Sequence, residues 1–446
     1  MKKRIISIVT AIVLVISAIP FVTGCGGRTE GELRIWWPGA TANEIQALRR
    51  AAELFSEERP EVTFDIVPRT VTNFVQEYVI AVNGRNYPDI AFVDSVFIQQ
   101  LAHDRLITNL SDACPEIDTT IRAQVVPSLW PANLYGGDAF ALPVSANVLT
   151  LVYNRGLLRR VFAGTGREWA DDMVPETWEE LIAISEVFEE YNYINNLTGL
   201  QAMIPYTLPA GLGHNSFSSM AFVSMAARMG GSIMTDDLRR MSLYNPAYET
   251  AAYQAARKIR YLGTGGRGFV PPEFQESRFE AGQVGFIEMG PWRKNVYELI
   301  TNSPDNDSEF RYAPMIRLKE GGGNQSTLGL FSMVSTAGGV NEALAVEFMK
   351  FFLTNDEVML LHNQPQNLLP VTVSTIADPF YSEGDVWPVF MEQMNHIAQR
   401  PGNPEWAVME RRLGEFVTGL LSGSNNPSDL RSLHTYLNNR LREIYP

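Results

Sequence analysis

The sequence predicts an α/β protein in which strands and helices alternate through two successive regions. Three observations carry this. The opening reads strand, helix, strand, helix, strand; a second run of the same kind follows Leu142-Pro143; and no composition break, internal repeat or low-complexity tract separates the two. A pattern that simply continues suits two lobes that exchange chain segments.

The elements follow in order. Leu33-Arg34-Ile35-Trp36-Trp37 is a short strand stopped by Pro38-Gly39. Thr41 and Glu44 form a capping-box pair, and Ile45, Leu48, Ala52 and Phe55 share one helical face until Pro60 ends it. Residues 62–67 alternate as a second strand, and a helix is expected over about 71–82. Asp89-Ile90-Ala91-Phe92-Val93 is nearly all apolar, as a buried parallel strand requires. Ligands of a doubly wound region lie beyond strand C-termini, which marks Trp37–Thr41 and Asp94-Ser95. In the second region, residues 148–153 form a strand. Pro175–Glu180 then opens a helix capped by Thr177, with Glu180 as its partner and Trp178, Leu181, Ile182 and Phe188 on the buried side. Later helices are expected over about 218–229, 247–262, 341–353 and 406–421.

The chain has 446 residues, which at roughly 100–200 residues per domain allows two to four domains. Its 45% hydrophobic content excludes wholesale disorder. The formal charge is −14, and the first 24 residues hold Lys2, Lys3 and Arg4 but no acid, so their removal makes the body more acidic still. Such a body repels a phosphate backbone and anionic lipid. Nucleic acid is therefore excluded as a partner, and membrane attachment requires an anchor.

The N-terminus offers one. Met1–Arg4 is basic, and the stretch 5–22 carries no charge. That length could just span a bilayer, but Pro20 and the small Thr23 and Gly24 before Cys25 favour an export signal. Val22-Thr23-Gly24-Cys25 resembles the lipobox of bacterial lipoproteins, whose Cys is alkylated to a stable thioether. Residues 1–24 are thus expected to be a signal peptide, Cys25 the lipidated residue and 25–31 a tether. Cys114 is then left alone, so no intramolecular disulfide forms, and two thiols are too few for a Cys-based zinc site or an iron–sulfur cluster. Cys114 reads as a small semi-buried residue rather than a nucleophile.

Further motifs recur in a fixed order. Pro60-Glu61-Val62 follows the first helix. Asn83-Gly84-Arg85-Asn86-Tyr87-Pro88-Asp89-Ile90 precedes the third strand. Ala141-Leu142-Pro143 is followed by Tyr153-Asn154-Arg155, then by Pro175–Glu180 and Met229-Gly230-Gly231-Ser232-Ile233. Phe279–Phe286 leads to Gly290-Pro291-Trp292, and Val346-Glu347-Phe348-Met349-Lys350-Phe351-Phe352-Leu353 closes the series. This order resembles the extracellular solute-binding proteins of ABC transporters, the family that includes maltose-binding protein, over essentially all of residues 32–440.

The resemblance implies a two-lobe, periplasmic-binding-protein-like (type II) α/β fold with hinge-connected lobes. One lobe would hold 32–144 and 317–369, the other 145–316 and 370–446. It implies a monomer without a cofactor, held at the extracytoplasmic side of the cell membrane by its lipid alone. The protein would capture a carbohydrate, an oligosaccharide by expectation, and pass it to the permease subunits of an ABC importer.

A sugar offers hydroxyls to amides and carboxylates, and C–H faces to aromatic rings. By position in the family pattern, Asn147 falls at a hydroxyl-binding site near the hinge, where the maltose binder has Glu. Trp292 matches the tryptophan that stacks on sugar. Asp94 and Ser95 occupy the hydroxyl-binding loop after the third strand. Trp37 follows the first strand and reads equally as cleft or core, and Tyr206 lies where the second lobe contributes an aromatic. Trp406 would stack from the start of a late helix, although its spacing to Gly423 is about one turn longer than the family pattern. Trp36 and Trp178 read as core. Trp130, Trp169 and Trp387 are not placed, and Pro205–Met220 aligns with no pattern, reading either as a ligand-contacting loop or as surface.

Enzyme motifs are weaker. Gly263-x-Gly265-x-x-Gly268 follows a helix rather than a strand, so it fails as a dinucleotide fingerprint. There is no Gly-x-Ser-x-Gly and no His-Glu-x-x-His, the five His are scattered, and Asp305-Asn306-Asp307 lacks the further ligands that calcium needs. Two alternatives stay open at this point. One is an extracellular glycan-acting enzyme, since glycosidase chemistry needs only two carboxylates. The other is a binder of peptides or amino acids, which would need a charged residue in the cleft.

Overall fold

The computed structural model describes residues 29–70, 73–208, 210, 215–264, 275–304 and 307–445. Cys25 and the lipobox, Gly211–His214, Gly265–Gly268 with Pro271-Pro272, and Asp305-Asn306 lie outside the described residues.

The first lobe opens with β1 (Glu32–Pro38), α1 (Ala42–Glu58), β2 (Thr63–Arg69), α2 (Phe74–Asn83), β3 (Ile90–Asp94) and β4 (Leu142–Asn147). The chain then crosses to a second lobe of β5 (Thr150–Asn154), α3 (Arg155–Gly164), α4 (Trp178–Ile194), β6 (Ile204–Thr207), α5 (Asn215–Arg228), α6 (Ala251–Thr264), β7 (Val284–Met289) and β8 (Phe310–Ala313). It returns through β9 (Ser326–Thr327) to β10 (Gly329–Ser335), α7 (Glu342–Thr354) and α8 (Asp356–Asn363). A last crossing runs through β11 (Ile397–Ala398) to α9 (Trp406–Ser422) and α10 (Leu430–Ile444).

The first sheet has the order β2-β1-β3-β10-β4. β1 is parallel to β2 and β3, as the opening pattern implies, whereas the distant β10 runs antiparallel to both β3 and β4. The second sheet, β8-β5-β7-β6, is antiparallel except for β6 on β7. Between the sheets β9 and β11 pair as a short parallel ribbon.

Both expected capping boxes form. Thr41 and Glu44 close the start of α1, and Thr177 and Glu180 that of α4. Each satisfies two N–H groups that a helix start otherwise leaves open. Strand alternation sorts the core. Leu33, Ile35 and Trp37 point from β1 into one cluster with Leu48, Phe55 and Phe92, while Trp36 points into another with Phe74, Tyr78 and Val93.

The crossing points differ from the expected boundaries. Val371, Tyr381, Trp387, Phe390 and Met394 all join the first lobe's core, and Phe390 also meets Tyr312 of β8, so segment 370–394 packs in the first lobe while touching the second. Backbone pairing explains this: Val126 N–H donates to Val371 O, and Leu369 bridges Ala146. The second core takes up the chain only at Ala398 and Trp406. The lobes themselves touch, because Val96 lies inside the second core and Phe97 packs on both.

His362 is held in the first core, with its ring centroid 5.1 Å from Trp37 and 6.1 Å from Phe352. Burial lowers its pKa to about 3, and its Nδ1 is buried without a partner. The unfolded chain titrates near pH 6.5, so it binds the proton that the native state refuses. Stability from this site is complete above pH 6.5 and is lost as pH falls towards 3, by up to about 1.4 kcal/mol per pH unit. Thermal unfolding followed from pH 7 to 4 should show a decline in Tm that is shallower in His362→Gln by that amount.

Candidate functional site

The site is assembled at the edges where the two sheets face each other. β10 sets the first wall: its Phe331 pairs with Asp94 and its Gly329 with Asn147, so the ends of β3 and β4 lie at one sheet edge, one strand apart. Ser95 follows directly and is buried. The second wall comes from the ends of β7 and the start of α5. β7 pairs Met289 with Thr150 at the crossing, and the chain then turns through Gly290-Pro291 to Trp292. α5 lies along the crossing ribbon, because Thr327 Oγ1 donates to Met220 O at 2.6 Å and Ser224 Oγ to Gln325 O at 2.9 Å. That places Ser216, Phe217 and Ser219 at the junction of the lobes. Phe217 and the half-buried Trp292 form a tilted aromatic pair with centroids 6.3 Å apart.

The polar centre of the junction is Arg400. Its side chain is only 2% exposed. Nε donates to Leu328 O at 3.1 Å, and the two terminal nitrogens close on Asp94 at 3.0 and 2.5 Å. This fork-on-fork pairing is the strongest geometry available to the two groups. One edge of the guanidinium also faces Glu410 of α9, 3.8 Å from Oε1. Ser216 donates to the same oxygen at 3.1 Å, and Ser219 Oγ, which donates to Ser216 O at 2.8 Å, lies 3.5 Å from it. Burial raises the Glu410 carboxyl above its ordinary pKa; the charge of Arg400 opposes this and that of Asp94 adds to it.

A cavity of about 370 Å³ adjoins this cluster, within the range of small-molecule sites. Ser95, Gln99 and Pro131 line it from the first lobe, Asp236 and Leu238 from the second, and Arg400 from the crossing chain. Trp292 and Asn147 do not line it, and Asn147 Oδ1 is a buried acceptor without a partner. Cavity, aromatic pair and free amide oxygen all border the same interlobe junction.

Of the residues singled out by sequence, Asp94, Ser95, Asn147 and Trp292 stand at this junction. Trp37, Tyr206 and Trp406 are packed away in cores. Trp37 stacks on Phe92 with centroids 3.8 Å apart, because the strand alternation of Leu33 and Ile35 carries it inward. Tyr206 is buried in the second core, where its hydroxyl donates to Glu288 at 2.6 Å beside the fully buried Arg228–Glu288 pair. Trp406 is likewise enclosed in the second core. One turn further along α9, at the distance from the C-cap Gly423 that the family pattern favours, stands Glu410. Trp130, Trp169 and Trp387 are all buried in cores.

Sequence reasoning missed Arg400, Glu410 and Ser216. The one-turn discrepancy at Trp406 was a signal for Glu410. Phe217 falls in the unaligned Pro205–Met220 stretch. Arg400 had no signal, since a single charge in Gln399-Arg400-Pro401 looks like any solvated loop.

Two mixed α/β lobes that share crossing segments, with side chains from both converging on one cleft, define a two-lobe binding protein. The chain belongs to the bacterial extracellular solute-binding proteins, whose family model matches residues 50–385. This is a family of binders and not of enzymes, so the glycan-acting enzyme alternative falls. The chain is similar to the maltotriose-binding protein of Pyrococcus abyssi, at 22% identity over 394 residues, 85% of this chain and 76% of that one. Among solved structures, the cyclic alpha-maltosyl-1,6-maltose binding protein from Arthrobacter globiformis matches with a TM-score of 0.75 at 20% identity, covering 93% of this chain and 100% of that one. The sugar-binding protein of Xanthomonas citri matches with a TM-score of 0.75 at 16% identity, covering 93% and 98%. At these identities the two structures speak for the fold.

The Trp292 ring folds back over its own turn, and a Cβ at Gly290 would fall inside it. Gly290→Ala should therefore expel the ring from its seat beside Phe217, as Trp292→Ala removes it outright. Both variants should weaken ligand binding tenfold or more in calorimetric titration while retaining a cooperative unfolding transition. Unchanged affinity in both would remove Trp292 from the site.

Proposed function

We propose that this protein is the substrate-binding lipoprotein of an ABC importer, capturing a carbohydrate, most simply an oligosaccharide, between its lobes and delivering it to the permease. The observation that carries the reading is the pairing of chemistries across one junction. Aromatic faces of Trp292 and Phe217 stand on one wall. The oxygens of Asp94 and Asn147 stand on the other. Sugars need both: rings for their C–H faces and fixed acceptors for their hydroxyls. The names of the Pyrococcus and Arthrobacter relatives agree with a glucan as cargo. A peptide or amino-acid ligand would require a free charge for its terminus. Arg400, the one cation lining the cavity among the described residues, is already closed on Asp94, which disfavours that reading.

Capture proceeds by closure. A ligand that touches both walls favours the closed arrangement by its differential contacts alone, and the closed pair of lobes is what the permease would recognise. The Cys25 thioether would keep the protein at the extracytoplasmic face of the membrane. The acidic body itself has no affinity for anionic lipid.

A thermal-shift screen of residues 26–446 against neutral oligosaccharides, amino acids and short peptides tests the cargo. A ligand at about a hundred times its Kd adds about 2.7 kcal/mol, a rise of a few degrees in Tm. One sugar class should give that rise and be recovered unchanged. A rise with peptides alone would discard the carbohydrate. In cells, the full chain should fractionate with membranes and Cys25→Ser should not; retention of the variant at the membrane would overturn the lipid anchor.

A further inference from the structure

The charge balance at the junction carries a prediction about which carbohydrates the cleft accepts. Asp94 and Glu410 lie within 4 Å of Arg400, giving two carboxylates to one guanidinium, and Asp236 stands on the wall of the adjoining cavity. Arg400 is the one cation lining that cavity among the described residues. Three of its donors are already bonded to protein oxygens, Nε to Leu328 O and the fork to Asp94, and one terminal nitrogen stands 3.8 Å from Glu410. It cannot offer its fork to a ligand anion without abandoning Asp94. The hydroxyls of Ser216 and Ser219 are in use as well, the first donating to Glu410 and the second to Ser216 O. The site therefore offers acceptors in surplus and holds its strongest donor in use.

We propose that Asp94, Arg400 and Glu410 form a specificity filter that admits uncharged glycans and refuses those bearing a carboxylate, phosphate or sulfate. The inference rests on the carbohydrate reading and adds the substrate class. The physical reason is an unpaired like charge. A hydroxyl donates to these oxygens, whereas an acidic group brings further acceptors and a negative charge to a half-buried site whose cation is occupied. Such rejection is specificity by repulsion, which costs the wrong ligand more than it costs the right one. Within the trio the roles differ. Asp94 keeps Arg400 from the ligand, and Glu410 supplies the unmatched charge.

Matched ligand pairs test this. Maltotriose and cellotriose are each titrated alongside the same trisaccharide oxidised at C6 of its non-reducing end, so that a primary hydroxyl becomes a carboxylate. At pH 7 the neutral member of a binding pair should bind at least a hundredfold more tightly than its acid. Asp94→Asn should release the Arg400 fork and raise the affinity for the acid tenfold or more while weakening the neutral sugar. Glu410→Gln should narrow the gap by removing the unmatched charge, and it serves alone should Asp94→Asn not fold. An acid that binds the native protein as well as its neutral partner, or a gap that neither variant narrows, would overturn the filter and leave the carbohydrate reading standing. Binding by neither member of either pair, together with a negative oligosaccharide screen, would overturn the carbohydrate reading and the filter with it.

Discussion

A buried guanidinium must be answered by carboxylate and carbonyl oxygens, and the placement of Arg400 by Asp94 and Leu328 organises the junction. The three residues come from the end of β3, the link between β9 and β10, and the chain after β11. Removing one partner of such a pair costs about 3–5 kcal/mol, so these segments are held in one arrangement. The register of β10 then decides where Asn147 stands. The second lobe repeats the device deeper down. Arg228, the last residue of α5, pairs at 2.8 Å with Glu288 in β7, and both are fully buried. The start of α5 carries Ser216 and Phe217, and the end of β7 leads to Trp292. One enclosed ion pair thus fixes the helix and the strand whose tips form the second wall.

Local signals made most of the fold legible. Thr41 with Glu44 and Thr177 with Glu180 specify helix starts through bonds within one turn, and no distant residue can override them cheaply. Trp37 was decidable too: sharing the parity of Leu33 and Ile35 on a strand, it had to enter the same core. What stayed hidden depends on distant pairing. β10 runs antiparallel beside β3 because of backbone bonds made some 240 residues away, and segment 370–394 is claimed by the first lobe through Val126. Arg400 belongs to this class. A lone charge has no period, and only the tertiary fold shows that Asp94 waits for it.

The aromatic residues illustrate a related limit. The resemblance to a sugar-binding family drew attention to tryptophans, yet of eight in the chain only Trp292 stands half-exposed at the junction while the seven others are buried. A large aromatic buries so much apolar area that a core position is its ordinary fate. Trp292 escapes because Gly290-Pro291 turns the chain at the end of β7 and leaves the ring at the surface of its cluster. The family pattern located the right turn there. On α9 it pointed to Trp406, which is enclosed in the second core, and what the helix brings to the junction, in exchange for the expected aromatic face, is the charge of Glu410.

That exchange bears on how the lobes part. Asp94 and Arg400 meet at hydrogen-bonding distance, whereas Arg400 and Glu410 are 3.8 Å apart. When α9 moves away from β3, the looser contact breaks and the tighter one survives. Arg400 keeps Asp94 and Leu328, so no charge is orphaned by opening. Glu410, whose pKa burial raises, gains solvent as it leaves. Apolar contact runs both ways, since Val96 and Phe97 enter the second core and Tyr312 of β8 packs on Phe390 of the first. The polar part of the interlobe contact is thus built from terms that can be exchanged for water at little cost. A ligand that bridges the two walls shifts the balance between open and closed by the contacts it makes to both at once.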